Sequence, residues 1–107
     1  MQHFFHFDDL TRERASKNKR YLEFLRIPAM SAGVYVLSRG GTDPQRPHHE
    51  DEMYYVVRGR ARMKVGQEEA EVSAGSVIFV EAEADHGFFD IQEELEVLVF
   101  FAPAEKE

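Results

Sequence analysis

From Tyr21 onward the chain is a succession of short runs rich in β-branched and aromatic residues, broken by glycine and proline. Residues 21–27 (YLEFLRI), 33–38 (GVYVLS), 52–58 (EMYYVVR), 60–65 (RARMKV), 69–73 (EAEVS), 76–80 (SVIFV), 86–90 (HGFFD) and 95–101 (LEVLVFF) each read as a strand. Many short strands with turn signals between them predict an all-β barrel or sandwich. Residues 8–21 (DDLTRERASKNKRY) differ, being polar and dense in charge. They predict an irregular arm with about one helical turn; the alternative is a short helix capped by Asp8 or Asp9. The expected division is an N-terminal arm, 1–20, and a barrel domain, 21–107.

One hairpin is predicted pair by pair. A two-residue turn at Gly66-Gln67 sets Val65 opposite Glu68, Lys64 opposite Glu69, Met63 opposite Ala70, Arg62 opposite Glu71 and Ala61 opposite Val72. The apolar members then share one face, and Arg62 and Lys64 meet Glu71 and Glu69 on the other. Arg60, Arg62 and Lys64 are therefore expected on a solvated, ion-paired strand face rather than in an anion site.

Composition narrows the chemistry. The 107 residues suffice for one domain with one core. There is no cysteine, which excludes disulfides, thiolate zinc sites, iron–sulfur clusters and cysteine nucleophiles. A bound metal must take imidazole nitrogen and oxygen. The formal net charge of −7 disfavours nucleic acid as a partner. The longest apolar run is too short to span a membrane, and the start, MQHFFHFDDL, does not read as a signal peptide. A cytoplasmic protein with a small-molecule ligand is the expectation.

The stretch 46–59, RPHHEDEMYYVVRG, carries metal-ligand types at workable spacing. Side chains alternate along a strand, so His48 and Glu52 share a face if the segment is extended, and His49 and Asp51 point the other way. His86 opens another strand. Two imidazoles and one carboxylate make the minimum set for an ion with open coordination positions. On composition alone, two histidines in a polar loop are more often solvent-exposed than ligating. Tyr54 shares parity with Glu52, and Phe88 and Asp90 share parity with His86. Tyr54 and Phe88 are candidates for a cavity wall or for plain core packing, and Asp90 is a candidate to orient a ligand.

These residues resemble two motifs of the small single-domain cupins. Glu52, six residues and Gly59 match the end of the first motif, with His48 at the place of its second histidine and Gly40 or Gly41 as its opening glycine. Gly75, five residues, Glu81-Ala82-Glu83, two residues, His86, three residues and Asp90 keep the spacing of the second. The resemblance covers about residues 30–101. It implies a jelly-roll β-barrel (double-stranded β-helix), a homodimer, and a metal held by His48, Glu52 and His86. Two departures stand out. Arg46 occupies the first-histidine place and offers no lone pair, so His49, ahead of Gln45, is the candidate fourth ligand. Glu81 and Glu83 replace the turn proline and glycine.

Two functions remain open. One is a metal-dependent enzyme acting on a small organic molecule, a non-haem dioxygenase or an isomerase or lyase, with Fe, Mn, Ni or Zn. Glu52 would then be a ligand and proton acceptor, and Tyr54 a hydrogen-bond donor to substrate. The other is a non-catalytic ligand-binding or sensor barrel with weak metal binding or none. The apolar run 97–103 (VLVFFAP) predicts a strand buried on both faces, and so a dimer interface.

Overall fold

The computed structural model describes residues 1–44 and 47–106. The elements are α1 (Phe7–Ser16), β1 (Tyr21–Ile27), β2 (Met30–Leu37), β3 (Asp51–Val65), β4 (Glu68–Ser73), β5 (Val77–Val80) and β6 (His86–Ala102). The strands pair antiparallel in the order β1-β2-β6-β3-β4, and β5 adds to β3.

Two long strands organise everything. The predicted runs 52–58 and 60–65 fuse into β3, and 86–90 and 95–101 fuse into β6. Both strands change inward parity halfway along. On β3, Glu52, Tyr54 and Val56 point inward, and then Ala61 and Met63 do. On β6, Phe88 is inward, then Ile91, Leu95, Val97, Val99 and Phe101. Register shifts between Val56 and Arg62 account for the change. Extra residues of this kind bend a strand and sharpen its twist. The sheet therefore curls, and both halves contribute to one core in which Tyr54, Val56, Met63, Phe88 and Val97 belong to the same cluster.

Gly59 sits at the bend with φ +100, and a Cβ there would collide with the Glu94 carbonyl oxygen. Only glycine satisfies both constraints. The β3–β4 hairpin has the predicted register at every pair, with Arg60 opposite Ser73 added. Ala61, Met63 and Val72 are buried, whereas Ala70 is exposed. Arg60 faces Glu93 on β6, 3.8 Å away, and Arg62 lies over the Phe89 ring.

The arm is a correction. Residues 7–16 form a full ten-residue helix, capped by His6 rather than Asp8 or Asp9; the His6 Nδ1 accepts the Asp8 N–H at 3.3 Å. Asp8 and Asp9 fall in the first turn, where carboxylates suit the helix dipole. Tertiary contacts hold it: Asp8 pairs with Arg58 at 2.7 Å, Arg58 covers the Phe7 ring, and Phe5 packs on Phe24. The Arg58 guanidinium holds the Asp8 carboxyl below the usual carboxylate range.

Candidate metal centre

His86 is the first residue of β6, and its side chain is wholly buried. Its Nδ1 lies 3.0 Å from the Ala84 carbonyl oxygen. A carbonyl only accepts, so Nδ1 carries the proton. In the neutral ring Nε2 then presents a lone pair, and it faces Glu52 Oε1 at 3.2 Å. Two acceptors in that position repel unless a proton or a cation lies between them. Burial works against the charged imidazole, but the Glu52 carboxylate and the Ala84 carbonyl outweigh it, so the His86 pKa is raised.

Glu52 comes from the start of β3, where it sits between Val80 and Phe101 on the neighbouring strands. It is 2% exposed. Among the described residues, neither of its oxygens nor His86 Nε2 has a directed hydrogen bond; the 3.2 Å contact is off line. An ionised carboxylate in that state is costly. His48 approaches from the loop before β3. Its carbonyl accepts the Glu83 N–H at 2.7 Å, its ring packs edge-on against Phe101, and its Nδ1 is 3.3 Å from Glu105 Oε2. Donor atoms of His48, Glu52 and His86 all lie within 4.8 Å of one another. That is slightly wider than the roughly 3 to 4 Å between ligands sharing an ion at about 2.1 Å. The donor set fits a divalent transition ion, and the orphaned carboxylate and imidazole nitrogen supply the reason for one.

A cavity of about 370 Å³ adjoins His48 and Glu52. Val99, Phe101 and Pro44 give it an apolar wall, and Tyr21, Tyr35 and Glu105 complete it. Burial pushes both phenols up, and Asp43 adds to the effect at Tyr35. Both are therefore hydrogen-bond donors. Tyr35 donates to Asp43 Oδ1 at 2.6 Å, and Asp43 Oδ2 accepts the Phe88 N–H at 2.9 Å. The Tyr21 hydroxyl is buried without a partner among the described residues. Its ring lies against Gly33, where a Cβ would displace it.

The other sequence candidates fall elsewhere. His49, the reserve ligand, is exposed and paired with Glu83 in the loop before β3. Tyr54 is fully buried, packed edge-on against Phe88 at 5.0 Å, and lies in the core rather than on the cavity wall. Asp90 is exposed, with φ +49, at the point where β6 changes parity. Glu50, in the same loop as His49, is 4% exposed and accepts the Lys106 N–H. Gln45 and Arg46 lie outside the described residues. Glu83 keeps the left-handed backbone of the glycine it replaces, at φ +71. Sequence reasoning missed Glu105, Tyr21 and Tyr35 on the cavity wall, and Asp43 behind Tyr35. The first three lie outside the two motifs, and only the closing of the sheet brings them to the cavity.

The cupin-domain family profile matches residues 33–101. An uncharacterised protein of Streptomyces coelicolor is 50% identical over 101 residues, covering 94% of this chain and 96% of its own. A conserved Klebsiella pneumoniae protein with a double-stranded β-helix domain superposes with a TM-score of 0.79 at 19% identity, over 100% of this chain and 99% of that one. A cupin from Shewanella frigidimarina, described as RmlC-like, gives 0.72 at 21% identity, over 78% and 75% of the two chains. Among the described residues no helix is long and apolar enough to cross a membrane.

Proposed function

The chain belongs to the cupin family, and on that footing we propose that it is a metal-dependent enzyme acting on a small, uncharged organic molecule. The observation that carries this is the buried Glu52–His86 contact, in which three acceptor atoms converge without a directed partner. His48, Glu52 and His86 would hold one divalent transition ion, Fe, Mn, Ni or Zn. A bound ion of this kind supplies Lewis acidity, and with iron the activation of oxygen.

The chain's own residues do the rest. Val99, Phe101 and Pro44 exclude water from the apolar part of the ligand. Tyr21 offers its hydroxyl to a carbonyl or hydroxyl oxygen in the cavity, the role first expected of Tyr54. Glu52, with two oxygens in the site, is placed to take a proton from bound substrate. Glu52 and Glu105 on the wall disfavour anionic substrates.

Elemental analysis of protein purified without added metal tests the reading. About one transition ion per chain is expected, and near-complete loss in His86→Ala and Glu52→Ala. Parent protein without metal, or variants that retain it, would sink the idea. A non-catalytic ligand-binding barrel is the second reading. It is favoured by the gathering of three donor residues rather than four among the described residues. Metal-loaded protein that binds diols or diketones without turning them over, and consumes no oxygen, decides for it.

The assembly proposed is a homodimer. Met53 pairs with Phe79 on one side and Phe100 on the other, and Tyr55 with Val77 and Leu98. Met53, Tyr55, Val77 and Phe79 are exposed, which leaves one contiguous apolar sheet face.

A further inference from the structure

The C-terminal segment after β6 is anchored by its backbone. The Glu105 N–H donates to Ser31 Oγ at 2.9 Å, and Ser31 is wholly buried. Arg26 Nη2 donates to the Glu105 carbonyl oxygen at 2.5 Å. The Lys106 N–H donates to Glu50 Oε2 at 3.2 Å, and the Ala104 N–H to the Pro28 carbonyl oxygen at 3.4 Å. These anchors come from β1, β2, the turn between them and the buried Glu50, so the position of Glu105 is set by the barrel rather than by local chain preference.

What they present to the cavity is a carboxylate in poor electrostatic company. Glu50, Glu52 and Glu23 all bear on Glu105 with like charge, and Arg26 opposes them. An acid held among acids does not stabilise a fold. Its side chain points at one specific atom, His48 Nδ1, at 3.3 Å. Glu105 is not among the residues whose donor atoms gather within 4.8 Å, so its place is behind a ligand rather than on the ion.

We propose that Glu105 is the positioning residue of the cation site: its carboxylate accepts the His48 Nδ1–H and holds that imidazole in the tautomer whose Nε2 bears the lone pair. A carboxylate behind a metal-binding imidazole orients the ring and makes it a stronger donor. Here the carboxylate is delivered by the segment that follows β6, so the site is complete only when that segment is docked. The role rests on the cation-site reading above.

The test uses the parent protein, Glu105→Ala and Glu105→Gln. Co(II) binding by titration calorimetry is one readout, and nitrogen shifts of ¹⁵N-labelled histidine in ion-free protein are the other. Glu105→Ala is expected to weaken Co(II) binding by about 10- to 100-fold, and to move His48 toward the Nε2–H tautomer. Glu105→Gln keeps an oxygen that accepts from Nδ1–H and so loses less; it also guards against a general loss of fold. Parent protein that takes up no Co(II) overturns the cation site and this role with it. A parent that binds, beside a Glu105→Ala variant with equal affinity and unchanged His48 shifts, overturns the role of Glu105 alone.

Discussion

At the scale of single residues, protonation decides what the site can hold. The His86 pKa is raised, and the Glu105 carboxyl is pushed up to about 7, first by burial and then by Glu50, Glu52 and Glu23. Both folded-state values lie above their unfolded ones. The stability they contribute is therefore present at low pH and is lost as pH rises through the folded values. Ion-free protein is expected to melt higher at about pH 5 than at about pH 8, and Glu105→Gln to flatten part of that slope. A proton on His86 competes with an ion, so apparent Co(II) affinity should fall by up to about tenfold per pH unit below the His86 pKa. Calorimetric titration across pH checks this, and a flat profile would count against His86 as a ligand. Tyr21 carries a separate expectation. Its buried hydroxyl lacks a partner among the described residues, so Tyr21→Phe should raise ion-free stability by about 1 kcal/mol. The same change should weaken binding of an oxygen-bearing ligand.

At the scale of elements, turns and bends place the candidate ligands. Glu83 holds φ +71 while its N–H fixes the His48 carbonyl. Glu83→Gly should stabilise by about 1 kcal/mol, the strain of a non-glycine residue in that region. Gly59→Ala meets both a positive φ and the Glu94 carbonyl, and should cost about 2 to 3 kcal/mol in chemical denaturation. The β3–β4 register was legible at every pair because turn length and alternation agree there, whereas the exposure of Ala70 was not. The helix was not. Residues 7–16 have no apolar stripe of buried positions, and their order comes from Arg58, a residue of a distant strand.

At the scale of the whole molecule, β6 carries both the site and the outer face. Val97, Val99 and Phe101 point into the core, and Leu98 and Phe100 point outward beside Met53 and Tyr55. Sedimentation should give twice the mass of the chain for the parent. Phe79→Lys, on the exposed face, should shift it toward the monomer without loss of secondary structure. A parent that sediments as a monomer would refute the homodimer.

The pattern of residues by itself determined the β-rich class and the hairpin register, and it picked out His48, Glu52 and His86, whose donor atoms the fold brings within 4.8 Å. Each follows from local alternation or from fixed spacing along the chain. Only the tertiary structure decided the rest. The parity changes in β3 and β6 arise at bulges, which alternation does not announce. Tyr21, Tyr35 and Glu105 reach the cavity because the sheet curls and the tail is strapped back onto it. These are contacts between residues far apart in the chain, and no local pattern encodes them.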